Sequence, residues 1–439
     1  MDAGTAYLDV IDRFKLVSVG PRGSDLSLSG SDFVKETSRG ETVAGHGRVL
    51  KLLHVIRSID PQGGGPMEGV RQYGSRLVEL GHSVEVVSLD DPAADFVGAF
   101  PLKVHALGPA NGKYGYSRQL LPWLKARARS YDRVIVNGLW QYHSFAAWRA
   151  FRGSGTPYFV FTHGMLDPWF KTNYPLKHLK KMLYWPWAEY RVLRDAEAVL
   201  FTSDEERLLA RQSFMPYSAR EQVVAYGTAS PPPNDARLRA KFLADHPELH
   251  DRRIILFLSR IHEKKGCDML IEAFADVARI DAQYHLVIAG PDQTQWMPHL
   301  QALAIELGVA DRISWLGMVR GEDKWGAFYS AEVFALPSHQ ENFGIAVAEA
   351  LGCGLPVLIS NKVNIWREVH AANAGLVAPD SLAGTKELLR EWLTKTPQQR
   401  VDMGEAAKRL FASRFTVDAM AQGLLRIYRS EEGKLPQTG

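Results

Sequence analysis

Sequence patterns typical of buried parallel strands alternate with patterns typical of helices along most of this chain. The alternation comes in two blocks, separated by the stretch 227–234, whose consecutive prolines at 231–233 form a stiff connector. Strands are predicted at 49–59, 82–89, 134–137, 158–162, 199–202 and 223–226, and then at 254–258, 285–289, 313–316, 333–337 and 356–359. Helical spacing lies between them, and the chain closes on a mostly helical stretch from 381 to about 429. Two such blocks predict an α/β fold with two doubly wound parallel sheets.

The length of the chain also favours two domains, because 439 residues exceed what a single hydrophobic core usually supports. A hydrophobic fraction of 46% and a charged fraction of 23% are ordinary for a globular protein and exclude a mostly disordered one. The first 47 residues have no sustained period and contain a turn-rich stretch, which predicts a flexible tail. We therefore expect a tail at 1–47, a first domain at 48–228 and a second domain at 229–439.

Charge and cysteine content exclude several classes of function. The net charge of +3 is too small to argue for nucleic-acid binding, so no nucleic-acid partner is expected. Cys267 and Cys353 are the only cysteines, which suggests neither a disulfide framework nor a metal site and fits a reducing compartment. No apolar run reaches the roughly 18 residues of a membrane-spanning helix, and the N-terminus lacks the layout of a signal peptide. The expected location is the cytoplasm, with peripheral contact at the inner face of the membrane left open.

A glycine loop follows the first predicted strand. It consists of Gly63, Gly64 and Gly65 before Pro66, so that the backbone could approach a ligand closely at the start of a helix. The dinucleotide-binding pattern is not met, because Glu68 stands where its last glycine belongs, which counts against a nicotinamide enzyme. The alternative is a tight surface turn.

Two further segments fall at the carboxyl ends of predicted strands, where parallel sheets place their ligands. His163 lies in 162–167 before a glycine and could meet a hydroxyl-rich ligand, although a structural histidine is the alternative. Arg260 and Lys265 lie in 259–266. An arginine can grip two oxygens of a diphosphate and a lysine supplies a point charge, whereas the alternative is a solvated basic turn.

The most specific segment is 338–350, which follows a predicted strand and opens a helix. Glu341 precedes the helix and Glu349 lies more than one turn into it. Carboxylates only accept hydrogen bonds, so both suit sugar hydroxyls. The backbone amides of Asn342, Phe343 and Gly344 would lie at the helix N-terminus, where the dipole favours a negative ligand. Either glutamate alone could be an ordinary helix residue, but that reading does not explain the ordered combination.

Together these segments resemble the large family of retaining glycosyltransferases with the GT-B fold, the glycosyl transferases group 1, which includes bacterial enzymes of surface polysaccharides. Their signature is a glutamate, seven residues and a second glutamate, then glycine-rich sequence and a strand, matched here by Glu341, Glu349 and 351–357. The family's basic loop and glycine loop are matched as well, and the resemblance covers nearly the whole chain after the tail. It implies two Rossmann-like domains facing each other across a cleft, with C-terminal helices that could cross back to the first.

The resemblance also implies roles for these residues. Arg260 and Lys265 would hold the diphosphate and stabilise its departure, Glu341 and the amides after it would hold the donor sugar, and Glu349 would bind the ribose. His163 would lie near the donor sugar and the acceptor, and Gly64 and Gly65 would approach the donor. Two departures affect local detail, since the chain has 225–228 where the family often has Pro-Asn-Gly-Val, and Asn342 where glycine is common.

The activity implied is transfer of a hexose (mannose, glucose or galactose) from a nucleotide diphosphate sugar to a saccharide or lipid-linked acceptor, with retention. Bacterial surface polysaccharide synthesis is the implied setting. No cofactor and no metal are expected, because fixed cations and a helix terminus can stabilise a diphosphate leaving group.

A stretch rich in aromatic residues and lysines, 169–187, allows two interpretations, as does the basic stretch 118–133. Basic aromatic segments can lie on anionic membranes, which would suit a lipid-linked acceptor. The aromatic residues could equally belong to the core, with the lysines on a solvated face.

Rival functions differ in what they would do with the donor. A nucleotide-sugar epimerase or hydrolase of the same fold would act on the donor without an acceptor. A non-catalytic nucleotide-sugar-binding or scaffold protein should lack the basic residues or the glutamate pair, yet this chain has both.

Overall fold

The first half of the chain forms a seven-stranded parallel sheet in the computed structural model, which describes residues 48–61, 64–233 and 235–430. The central strands are almost fully buried, as expected of a sheet that helices cover on both faces. The spatial order of the strands is β3-β2-β1-β4-β5-β6-β7. In chain order these are β1 Lys51–Ile56, β2 Ser83–Ser88, β3 Lys103–Ala106, β4 Arg133–Asn137, β5 Tyr158–Phe161, β6 Ala198–Phe201 and β7 Glu221–Val223.

The helices of this half connect the strands and cover the sheet. The first begins at Gly65, with Pro66 in its first turn, where a missing N–H costs nothing. The helices are α1 Gly65–Glu79, α2 Asp95–Gly98, α3 Leu120–Ala126, α4 Tyr142–Phe151, α5 Trp169–Asn173, α6 Pro175–Tyr184, α7 Glu189–Arg194 and α8 Asp204–Ala210.

The second half forms a six-stranded parallel sheet in the order β10-β9-β8-β11-β12-β13. Its strands are β8 Arg253–Leu258, β9 Tyr284–Ala289, β10 Ile313–Gly317, β11 Val333–Leu336, β12 Val357–Ser360 and β13 Gly375–Ala378. Its helices are α9 Asp235–Asp245, α10 Cys267–Ile280, α11 Met297–Glu306, α12 Gly321–Ser330, α13 Ile345–Gly352, α14 Trp366–Ala371, α15 Leu382–Thr394, α16 Pro397–Leu410 and α17 Val417–Ser430. A π-helical turn, Phe411–Phe415, connects the last two helices.

The predicted fold class is confirmed, since both sheets are parallel and helices alternate with strands in each half. The sequence did not predict β3 and β13, which both lie at the edge of a sheet. The strand expected at 223–226 is displaced, because pairing with β6 involves Glu221–Val223. Residues 1–47 and Gly63 lie outside the described residues. Within the described part of the chain, no helix is both long and apolar enough to cross a bilayer.

The last helix, α17, lies against the first sheet although it follows the second in the sequence. It packs on α1, and the guanidinium of Arg133 donates to the carbonyl oxygen of Tyr428 at 2.8 and 3.0 Å. The fully buried ring of Tyr428 packs against Phe159 of β5, with centroids 5.0 Å apart. The two halves are therefore joined at both the connector and the C-terminal helix.

Candidate active site

His163 follows β5 in a turn that the surrounding side chains hold rigidly. Its φ is +48°, which is uncommon for a residue with a side chain, and Gly164 follows with φ +73°. Its ring stacks on Phe161 with centroids 5.3 Å apart. Burial, with a contribution from the nearby His143, lowers the pKa of His163 to about 4. The imidazole is therefore neutral near pH 7 and can donate one hydrogen bond and accept another.

Glu206 of α8 fixes the backbone of this turn. One of its carboxylate oxygens accepts from the Thr162 hydroxyl and from the Gly164 amide, each at 2.6 Å. The other accepts from the amide and the hydroxyl of Thr202, each at 2.7 Å. Because Glu206 is almost fully buried, each of these bonds is worth more than its counterpart in water. The position of His163 thus depends on a carboxylate that does not touch it.

The glycine loop lies directly across from the second half of the chain. Gly64 has φ +84°, and Gly65 opens α1. A Cβ on Gly65 would lie 3.8 Å from the side chain of Ile345, the first residue of α13. The hydroxyl of Tyr226 donates to the Gly65 carbonyl at 2.8 Å, so the tyrosine closes one side of the space in which a ligand could approach Gly65.

The basic loop after β8 places two cations differently. Lys265 ends a short 3₁₀ turn, is only 6% exposed, and donates from Nζ to the carboxylate of Glu341. Gly266 after it has φ +67°, and a Cβ there would lie 2.4 Å from the carbonyl oxygen of Pro337, so the turn is pressed against the end of β11. Arg260 is exposed, and its guanidinium contacts the side-chain oxygen of Gln293 at 3.4 Å.

The loop between β11 and α13 is pinned by its own backbone. The Glu341 amide donates to the carbonyl of Lys362 and the Glu341 carbonyl accepts from the amide of Asn364, both at 3.0 Å. Gly344, with φ +78°, is the N-terminal cap residue of α13. This geometry leaves the first amides of α13 at the site, where they can donate to an anion.

Phe343 contributes packing as well as its amide. Its ring is 5% exposed and packs against Tyr226 at 5.2 Å and Phe415 at 5.5 Å, measured between centroids.

Glu349 is buried on α13, not exposed as an ordinary surface glutamate would be. Burial raises the pKa of its carboxyl group, and Lys324 of α12 opposes that effect by donating to it at 2.7 Å. Lys324 was not identified from the sequence. It lies 25 residues before Glu349 in the sequence, and only the tertiary fold brings the two side chains together.

Most of these groups line one cavity of about 590 Å³ between the carboxyl ends of the two sheets. Of the predicted site residues, Gly64 does not line the cavity, although Gly65 directly after it does. All the other predicted site residues line it: His163, Arg260, Lys265, Glu341, Gly65, Asn342, Phe343, Gly344 and Glu349. Lys324, Thr202, Tyr226 and Ser259 line it too and were not predicted.

Side chains of the two halves meet around this cavity. The Asn342 amide donates to the Thr202 hydroxyl at 3.2 Å, and Gly164 leaves room for Asn342, because a Cβ there would lie 2.7 Å from its Cγ. On the outer side, the ammonium of Lys264 lies 3.9 Å from the ring centroid of Trp169. Within the described residues, no three His, Cys, Asp or Glu side chains converge in a way that could hold a metal ion.

Comparison with known families gives two matches, one on each half. Residues 64–227 match the family described as glycosyl transferase 4-like domain, and residues 239–410 match glycosyl transferases group 1. The chain therefore belongs to the group 1 glycosyltransferases of the GT-B type.

Curated relatives share this family over part of their length. An alpha-D-kanosaminyltransferase of Streptomyces kanamyceticus is 29% identical over 245 residues, which are 55% of this chain and 63% of that protein. A D-inositol 3-phosphate glycosyltransferase of Segniliparus rotundus is 31% identical over 202 residues, 45% of this chain and 44% of that protein. The chain thus matches about half the length of these relatives.

Solved structures share the fold. Sucrose-phosphate synthase from Thermosynechococcus elongatus superposes with a TM-score of 0.69 at 20% identity, covering 88% of this chain and all of that one. Anabaena HepE in complex with UDP-glucose superposes with a TM-score of 0.67 at 18% identity, with coverage of 88% and 100%. These likenesses agree with two parallel sheets facing each other across a cleft.

Proposed function

We propose that this protein transfers a hexose from a nucleotide diphosphate sugar to a saccharide or lipid-linked acceptor, with retention and without a metal ion. The observation that supports this most is the pairing of two carboxylates with two lysines around one cavity, Glu341 with Lys265 and Glu349 with Lys324. Each carboxylate is held in place and can still accept from a sugar hydroxyl, because a carboxylate offers about four lone-pair positions.

The diphosphate would lie between Arg260, Lys265 and the N-terminus of α13. Cations and amides aimed at the departing diphosphate stabilise its charge without reorganising. In this proposal Glu341 and the amides of 342–344 hold the sugar, while Glu349, oriented by Lys324, holds the ribose. His163, neutral near pH 7, faces the sugar from the first half of the chain.

Retention follows if the acceptor attacks from the side on which the diphosphate leaves, with a donor phosphate oxygen accepting its proton. The acceptor would enter from the first half of the chain, near His163, which makes residues 48–228 the acceptor domain and 229–439 the donor domain of the proposal. We place the activity in bacterial surface polysaccharide synthesis, at the cytoplasmic side and with peripheral membrane contact.

A screen over nucleotide sugars tests the proposal, with release of nucleotide diphosphate as the readout. Uridine and guanosine donors of glucose, galactose and mannose form the panel, each incubated with and without acceptors that include simple saccharides and inositol 3-phosphate. Acceptor-dependent release and a glycosylated product support transfer. Release without any acceptor indicates a hydrolase or epimerase, and binding without release indicates a non-catalytic protein. Either of the last two results overturns the proposal.

The stereochemistry is tested on the same product. Retention predicts that the anomeric configuration of the donor sugar survives in the product, as measured by NMR coupling of the anomeric proton. An inverted product would contradict the front-face mechanism while leaving transfer itself established.

A further inference from the structure

A row of apolar side chains on α6 faces solvent. Leu176, Leu179 and Leu183 are 78%, 59% and 71% exposed, and Trp187 beyond the helix end is 70% exposed. The leucines recur at the spacing of one helix face. We call this row, with the lysines beside it, the α6 face. Large apolar groups exposed together and rimmed by polar residues mark a surface that binds something.

The opposite side of α6 is already occupied, so the helix cannot turn its leucines inward. The ring of His178 stacks on Phe214 with centroids 4.7 Å apart, and the ammonium of Lys181 lies 4.3 Å from the ring centroid of Trp140. Trp185, just after the helix, is fully buried and donates to the carbonyl of Pro216 at 2.7 Å. The α6 face is therefore presented by a fixed helix.

Aromatic residues extend the exposed surface at its edge. The hydroxyl groups of Tyr114 and Tyr184 are 2.7 Å apart, which ties the loop before α3 to the end of α6. Tyr114 and Tyr116 are 37% and 48% exposed beside it. Tyrosine and tryptophan rings have an apolar body and a polar tip, which suits the boundary between water and hydrocarbon.

The charge around this row has one sign. Residues 169–191 contain five lysines and arginines and a single acidic residue, Glu189, which is fully buried. Lys177 and Lys180 are exposed on α6, and the guanidinium of Arg191 lies 5.9 Å from the ring centroid of Trp187. Long basic side chains can lie along apolar surface while their charged ends reach phosphate groups.

From this combination we propose that the α6 face binds the surface of an anionic lipid bilayer. The leucines and Trp187 enter the boundary between head groups and acyl chains, and the basic residues contact lipid phosphates. A cavity of about 320 Å³, lined among others by Tyr174 and Lys177 on this side and Lys264 on the other, lies between α6 and the second half of the chain. Docking on α6 thus brings this cavity close to the membrane.

The inference rests on the proposed function only where it concerns a lipid-linked acceptor, because binding to lipid is measured without donor or turnover. Vesicles of phosphatidylcholine with phosphatidylglycerol, and vesicles of phosphatidylcholine alone, are mixed with the full-length protein and sedimented. We expect binding to the anionic vesicles that weakens as salt is raised.

The test variant is Leu179→Glu with Leu183→Glu, and its matched control is Ile280→Glu with Ile305→Glu, at positions 67% and 69% exposed on the second half of the chain. Both variants add the same charge at exposed positions, so both should keep the thermal unfolding of the parent. The α6 variant should lose binding by at least about tenfold, and the control should bind nearly as the parent does. A second variant, Lys177→Gln with Lys180→Gln, should weaken binding to anionic vesicles by about fivefold per lysine removed.

Three results would overturn the inference. The parent protein could fail to bind anionic vesicles, or the α6 and control variants could lose binding equally. The parent could also form a dimer that the α6 variant dissociates while vesicle binding is absent, in which case the face joins two copies of the chain. For the α6 variant, loss of vesicle binding with unchanged acceptor-dependent release of nucleotide diphosphate, measured on soluble substrates, would separate this result from a failure of the proposed transfer.

Discussion

The ion pair between Lys265 and Glu341 makes an unusual prediction for the variant Glu341→Gln. Lys265 has a side chain only 7% exposed, and its ammonium donates to the Glu341 carboxylate. In the free protein the glutamate therefore satisfies the lysine. If a donor diphosphate is to bind Lys265, it has to share or replace this contact. Removing the carboxylate charge should thus lower the free energy of unfolding of the empty protein more than that of the nucleotide-bound protein.

The size of the effect follows from the burial of the two groups. Breaking a fully buried ion pair by removing one partner costs about 3–5 kcal/mol. Because the Glu341 side chain is 22% exposed and borders an open cavity, water can compensate in part. We therefore expect a loss nearer the value of one hydrogen bond to a charged group, about 1.5–3 kcal/mol, which corresponds to a fall in Tm of a few degrees. Turnover should fall by about one to two decades if the same hydrogen bond holds the sugar in the transition state.

Affinity for free nucleotide diphosphate should move the other way. With Glu341 neutral, the charge of Lys265 is left for the diphosphate, so binding should be tighter. Thermal unfolding and calorimetric titration of the parent and the variant measure both quantities, using whichever of UDP and GDP stabilises the parent protein. The shift in Tm on adding nucleotide should be larger for the variant than for the parent.

The matched control is Glu349→Gln, which alters the other carboxylate and leaves the Lys265 contact intact. Because Glu349 is assigned to the ribose, this variant should bind nucleotide diphosphate more weakly, by about one to two decades. The reasoning fails if Glu341→Gln weakens nucleotide binding as much as Glu349→Gln does. It also fails if Glu341→Gln leaves turnover unchanged, since the carboxylate would then only stabilise the fold.

Three other predictions concern the cavity and its support. Transfer should survive EDTA, and restoration of lost activity by magnesium or manganese would contradict the roles given to Arg260 and Lys265. Glu206→Gln should lower turnover while leaving nucleotide affinity intact, because it loosens the His163 turn and not the donor half; a parallel fall in both would assign Glu206 to folding alone. Burial lowers the pKa of His143 to about 4, so the folded protein resists its protonation and loses stability as pH falls below about 6.5. Relative to His143→Gln, the parent should lose about 1.4 kcal/mol per pH unit between 6.5 and 4 in urea unfolding, and a constant difference would show that His143 is not buried as a neutral group.

The sequence predicted the central strands and the edge strand β10, but it missed the edge strands β3 and β13 and displaced β7. Central strands are buried on both faces and read as continuous apolar runs, as in β8 and β9. An edge strand has one paired side, so its sequence can be mixed: β3 is Lys-Val-His-Ala and half-buried, and β7 keeps two exposed residues of three. The apolar pattern at 223–226 instead reflects Val224 and Tyr226, which are buried after β7 has ended.

Local motifs identified the residues proposed to bind the donor, whereas the side chains that contact those residues are determined by the tertiary fold. Local sequence placed Glu349 on a helix, but nothing near it in the chain indicates that Lys324 opposes it. Similarly, Asn342 departs from the glycine common in the family, and its contact with Thr202 becomes possible only where Gly164 leaves space on the other half. Motif spacing describes the residues after one strand at a time, whereas residues after several strands of both sheets line the cavity.

The chain passes between the two halves twice, and the two passages are hydrogen-bonded to each other. The Thr228 amide donates to the carbonyl of Phe415 at 2.9 Å, and Thr228 forms an isolated parallel bridge with Thr416. A Cβ on Gly227 would lie 2.3 Å from the Thr416 carbonyl oxygen, so a side chain at this position would push the two passages apart. Because the two passages are hydrogen-bonded to each other there, a rotation of one half against the other would bend both of them at the same place. A larger residue at 227 would displace the two passages next to Tyr226, which lines the cavity of the candidate site.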